Sequence, residues 1–176
     1  MINEPQVKAP TTMSVGFKYG LMMMAASILM FVLRAVTSGN PFDRSVTWTV
    51  VTIAISVTII VLAHREFKNN GDGFMTYGQG FAIGFWMSLV SVVAYGLFVI
   101  LYANVIDTNL MDNFYQMQRE QMEAGGNMND SQIDTAIGIT RKLFWPLFFI
   151  IGIIFSLITV LIITIFTQKS NPNPAM

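Results

Sequence analysis

Residues 73–106 read GFMTYGQGFAIGFWMSLVSVVAYGLFVILYANVI, a stretch without a single Asp, Glu, Lys, Arg or His. Hydrocarbon solvates neither a charge nor a free backbone group. A segment that crosses a bilayer must therefore be helical and nearly charge-free for about 20 residues. This run meets the condition, with a span at roughly 77–103. Working outward, residues 45–63 and 143–168 are also free of charge and give spans at about 46–63 and 143–166.

A fourth run is bracketed by charge. Lys18 and Arg34 flank residues 19–33. At about 1.5 Å per residue they lie roughly 24 Å apart on a helix, short of a hydrocarbon core about 30 Å thick. Long basic side chains reach outward to the headgroups, so 14–36 reads as a span with snorkelling ends. It does not read as a cleaved signal, because Arg34 stands where the approach to a cleavage site should be apolar.

Composition agrees. Of 176 residues, 53% are hydrophobic and 11% charged, against about 25% charged in an ordinary soluble domain. Net charge is zero, which gives no reason to expect nucleic acid. There is no Cys and one His, His64, so disulfides, thiol catalysis, iron–sulfur ligation and a His-rich metal site are excluded. A serine hydrolase needs a base beside its nucleophile. An intramembrane aspartyl protease needs two carboxylates within the spans. Neither is visible, and no enzyme and no cofactor are expected. The 13 Met and 14 Phe read as packing and lipid-facing bulk. His64, Arg65, Glu66 and Lys68 close the second span, where a helix end favours cations. Gln79 and Asn104, at the two ends of the third span, need only water or headgroup partners.

The expected fold class is all-α: an integral membrane four-helix bundle with an extramembrane amphipathic helical hairpin between its third and fourth spans. Residues 1–13 and 169–176 read as flexible tails around a membrane domain at 14–168. Gly39-Asn40-Pro41 and Asn69-Asn70-Gly71-Asp72-Gly73 break the chain between spans. An even number of spans puts both termini on one side. With the termini inside, Lys plus Arg counts five inside and five outside, which leaves topology undecided by number. Density decides it: Arg65 and Lys68 crowd a short loop, while the outer cations are spread over far more chain. Cytoplasmic termini in a bacterial inner (cytoplasmic) membrane are the expectation.

Lipid tails are as apolar as Leu, so close backbone approach holds membrane helices together, and small residues permit it. Gly80, Gly84, Ser88 and Gly96 fall at multiples of four in the third span, with Val92 interrupting. Gly152 and Ser156 lie four apart in the fourth. These are candidate helix-packing positions. Thr49, Thr52 and Ser56 keep three–four spacing in the second span, and together with Gly80, Gly84 and Ser88 they offer a polar path as the functional counterpart of a packing seam.

Residues 105–142 are too long for a plain helix–helix connection, commonly about 2–8 residues. Asp107 or Thr108 can cap a helix carrying an apolar face of Leu110, Met111, Phe114, Tyr115, Met117 and Met122, ended by Gly125-Gly126. Asn129 with Gln132, or Ser131 with Asp134, offers a capping box for a new helix. That helix continues through Ile133 into the fourth span and reaches about 51 Å, with a bend at Pro146. Asp112, Glu120 and Glu123 against Arg119 would be repelled by anionic lipid, so the six apolar residues are candidates for docking a membrane or periplasmic protein partner, or for packing within the hairpin itself.

His64-Arg65-Glu66-Phe67-Lys68, the run from Gly73 to Phe81, and Val105-Ile106-Asp107 together resemble the domain of unknown function 4199 family of small bacterial membrane proteins, over roughly residues 14–168. The resemblance implies a four-helix inner-membrane protein and supplies no activity, substrate or site residue. Where the family pattern often has proline after the Asp, this chain has Thr108. Two functions remain open on the sequence: an interaction or accessory subunit using the outer hairpin, and a small homo-oligomeric transporter or channel along the hydroxyl and glycine path.

Overall fold

The computed structural model describes residues 9–38, 41–42 and 45–172. Residues 1–8 of the expected tail at 1–13, residues 173–176 of the expected tail at 169–176, and Gly39-Asn40 of the expected break lie outside the described residues. Five α-helices follow in order: α1 Thr12–Ser38, α2 Val46–Asn69, α3 Tyr77–Leu101, α4 Leu110–Gly125 and α5 Asp130–Thr167. A π-helical turn, Tyr102–Ile106, extends α3. No strand occurs among the described residues; Met75 and Lys169 pair as an isolated bridge.

Helices α1, α2, α3 and α5 are each long and apolar enough to cross a membrane. Their outer faces carry bare aliphatic and aromatic side chains: Leu29, Ile53, Leu97, Ile150, Phe155, Ile162 and Phe166 are all exposed. In water such a surface would be strongly unfavourable; in lipid it is neutral.

Local signals set the boundaries. Thr11 starts α1, its hydroxyl accepting the Ser14 N–H at 3.0 Å. Thr76 and Gln79 form a reciprocal capping box at the start of α3. Gln79 thus has a protein partner, contrary to the expectation that water or headgroups would serve it. Asn104 likewise donates to its own helix, at the Ile100 carbonyl. Asn129 and Gln132 form the box that starts α5, which runs unbroken through Pro146. Gly126, with φ at 65°, ends α4 in the left-handed region open to glycine. The start of α4 differs from expectation. Asn109 is its N-cap residue, and Asp107 stands just before it, accepting the Asn109 N–H on its carboxylate at 3.2 Å and the Leu110 N–H on its carbonyl at 3.1 Å.

Helix α3 packs mainly against α1 on one side and α5 on the other, while α2 lies against α1 and α5. Two buried clusters result. One joins Val15, Tyr19, Ile60, Ala63, Phe67, Met75, Ile83, Met87 and Val160 near the start of α1 and the end of α5. The other gathers Phe31, Val99, Ala103 and Leu110 with the rings of Phe42, Tyr95, Phe98, Tyr102, Trp145 and Phe148 at the opposite end.

Candidate functional site

The end of α2 carries a set of polar bonds to each of the other three long helices. His64 is fully buried. Its Nε2 lies 3.2 Å from the Gly80 carbonyl of α3, and its Nδ1 lies 2.7 Å from the Thr167 hydroxyl of α5. A carbonyl only accepts, so Nε2 carries a proton and donates to Gly80, while the Thr167 hydroxyl beside Nδ1 also lies 2.9 Å from the Ile163 carbonyl of its own helix. Two residues on, Glu66 accepts from Lys18 Nζ at 2.6 Å and from the Tyr19 hydroxyl at 2.9 Å, both on α1. Lys68 Nζ then donates to the Thr167 carbonyl at 2.7 Å, satisfying one of the free acceptors that every helix leaves at its C-terminus. Phe67, between them, is buried.

One turn and a half of α2 thereby binds α1, α3 and α5. Lys18 is ion-paired as well as near the span end. The cation of Lys68 serves the end of α5 rather than that of its own helix. Next to this clasp, the backbones of Met75 and Lys169 exchange hydrogen bonds of 2.9 and 2.8 Å, and Lys169 Nζ lies 5.2 Å from the centre of the Phe74 ring. The segment expected to be a loose tail from Lys169 is fastened at its first residue.

The small residues of α3 and α5 meet in antiparallel register. Each step of four along α3 is matched by a step of four back along α5 as far as Gly152, and by a step of three from there to Phe149. Gly80 faces Thr164, Gly84 faces Val160, Ser88 bonds Ser156 at 2.6 Å, Val92 covers Gly152, and Gly96 carries the ring of Phe149. A Cβ at Gly84 would overlap the Val160 side chain. Val160 and Thr164 fill the glycine gaps, and the hydroxyls of Thr49, Thr52 and Ser56 turn back to the carbonyls of Ser45, Trp48 and Thr52 on their own helix. A second close approach was not expected from the sequence: a Cβ on Gly16 would come 2.5 Å from Trp86 Cβ, and one on Gly20 would come 2.9 Å from Val90 Cβ. Here α1 and α3 run parallel. The spacing Gly16-x-x-x-Gly20, a known helix-contact pattern, was the available signal.

The connection from α3 to α5 contains α4, which packs back against the first turns of α5. Leu110, Phe114 and Tyr115 are buried within the chain, and Met111, Met117 and Met122 are half-buried. Phe114 packs on Phe42 and Phe144 with ring centres 5.1 and 5.3 Å apart. Arg119 pairs with Asp134 across the hairpin and with Glu123 on its own helix; Arg141 pairs with Asp112 at 3.4 Å and lies 4.7 Å from the centre of the Tyr115 ring. Burial pushes the Tyr115 phenol above its ordinary pKa, against the opposing effect of Arg141. Among the described residues, no three His, Asp or Glu side chains come close enough together to hold a metal ion.

Four long apolar helices, joined at one end by a polar clasp and at the other by aromatic packing, define a multi-pass helical membrane protein. The chain belongs to the family described as "Protein of unknown function (DUF4199)", whose model matches residues 18–169. The match takes in both the clasp and the hairpin. No curated protein and no solved structure matches the chain.

Proposed function

We propose that the protein is a non-catalytic interaction or accessory subunit of the bacterial inner membrane. In this account α1, α2, α3 and α5 form a membrane bundle with cytoplasmic termini, and the α4–α5 hairpin stands outside the bilayer as the docking element. The observation that carries the proposal is that the hairpin is braced within the chain. Its apolar face rests on Phe42 and Phe144, and its ion pairs fix α4 against α5. A short turn would have joined α3 to α5. A braced connection instead presents a fixed polar surface of Asn113, Gln116 and Glu120, all exposed. Docking therefore moves from the apolar face, which the chain itself covers, to this outer one.

Deleting the hairpin would also injure the core, because Leu110 belongs to it. The appropriate test leaves the fold intact: a photo-crosslinking side chain at Asn113 or Gln116 in living cells, with Leu97 as the lipid-facing control. A discrete adduct with one other protein from the hairpin positions, absent from Leu97, is expected. Adducts only between copies of this chain would instead favour the homo-oligomeric transporter or channel. The feature that speaks for that second account is a cavity lined by hydroxyls from all four long helices.

A further inference from the structure

Midway along α1, α2 and α3, and toward the C-terminal end of α5, lies a cavity of about 250 Å³. Its polar wall consists of hydroxyls alone, and each long helix contributes: Ser27 from α1, Ser56 from α2, Ser91 from α3, and Ser156 with Thr159 from α5. The depth is consistent from helix to helix. Ser27, for example, stands nine residues after Lys18 and seven before Arg34. Ile53 and Phe155, both exposed, also line the cavity, so it reaches the flank of the molecule between α2 and α5.

A hydroxyl in hydrocarbon normally turns back to the carbonyl one turn earlier on its own helix. Ser56 and Thr159 do so, each at 2.9 Å. Ser156 meets Ser88 at 2.6 Å, and Ser88 itself donates to the Gly84 carbonyl. Two hydroxyls at the cavity behave differently. Ser91 makes only a long 3.3 Å contact to the Ser88 carbonyl, and Ser27 has no hydrogen-bond partner among the described residues. Hydrogen-bonding capacity is therefore left over on two helices that face one space. An unmet hydroxyl away from water carries a free-energy penalty that a small guest can relieve. No charged side chain lines the space, which disfavours an ion. At roughly 30 Å³ per molecule, the volume admits several waters.

We infer that this cavity is a binding site, inside the membrane region, for small uncharged hydrogen-bonding molecules, with water as its resident occupant. The inference rests on the spanning arrangement proposed above. It does not rest on the hairpin's partner.

The chain has no Cys, so single thiols report cleanly. Ser27→Cys and Ser91→Cys are near-isosteric and are made separately in the full chain, reconstituted in phosphatidylcholine vesicles. Leu29→Cys, on the exposed side of α1, is the lipid-facing control, and Asn113→Cys the water-facing one. The probe is a small methanethiosulfonate, followed by intact mass. Its sulfur is attacked by the thiolate, giving a mixed disulfide and releasing methanesulfinate, and thiolate forms only where water reaches the thiol. Labelling of both serine-derived thiols about tenfold or more faster than Leu29→Cys is expected. Rates equal to that of Leu29→Cys at both positions would mean that lipid or side chains fill the cavity, and would overturn the inference. Were Leu29→Cys to react as fast as Asn113→Cys, the spanning arrangement itself would fall.

Discussion

The imidazole of His64 on α2 and the hydroxyl of Thr167, the last residue of α5, meet at 2.7 Å across 103 positions of sequence. The other ring nitrogen reaches α3, Glu66 reaches α1, and Lys68 reaches the carbonyl of the same Thr167. One end of the molecule is thus held by directional polar bonds. The other end is held by rings: Phe42, in the turn after α1, packs on Phe31, Phe114 and Phe144. Between the ends, small residues let the backbones touch.

Replacing His64 with Leu leaves the Gly80 carbonyl and the Thr167 hydroxyl without their buried partner. A loss of about 1–3 kcal/mol is expected. Arg65→Ala, at an exposed neighbour, should stay within about 0.5 kcal/mol. Thermal unfolding in one detergent compares them. Equal midpoints would show that the clasp does not hold the helices.

Gly84→Leu should damage the protein more than Val92→Leu, although both lie on one stripe of α3. The first drives a side chain into Val160; the second extends toward cavities that Val92 already lines. Overpacking costs typically about 1–3 kcal/mol. Val160→Ala should restore part of the loss in Gly84→Ala, because the two positions touch and so should couple. Strict additivity in a double-mutant cycle would rule out the contact.

Phe42→Ala should destabilise by about 2 kcal/mol or more, even though Phe42 lies outside any helix, because its ring bridges α1, α4 and α5. Phe166→Ala, on a ring 81% exposed, should change little. Denaturation midpoints decide, and the reverse order would remove the aromatic cluster from the account.

The spans are legible in the sequence because hydrocarbon leaves a charge-free run of membrane length few alternatives to a helix that crosses it. The runs at 73–106 and 143–168 mark α3 and α5 directly, and Asn129 with Gln132 gives the start of α5. Long-range pairing is not legible in the same way. Nothing local says that His64 will find Thr167, so a residue placed by its neighbours at a membrane surface is instead fully buried. The capping box at Thr76-x-x-Gln79 and the contact pattern at Gly16-x-x-x-Gly20 are local signals, but each resembles many spacings that form no contact. The apolar face of α4 shows amphipathicity, yet periodicity alone cannot say whether the chain or a partner covers it.

The arrangement across the membrane is tested most directly by thiol labelling in intact cells. Cys at Asn127, between α4 and α5, and Cys at Asn69, at the end of α2, are each introduced into the Cys-free chain. A membrane-impermeant reagent should label Asn127→Cys and leave Asn69→Cys untouched until the membrane is opened. Labelling of Asn69→Cys with Asn127→Cys protected would reverse the orientation, and labelling of both in sealed cells would contradict the four-span arrangement itself.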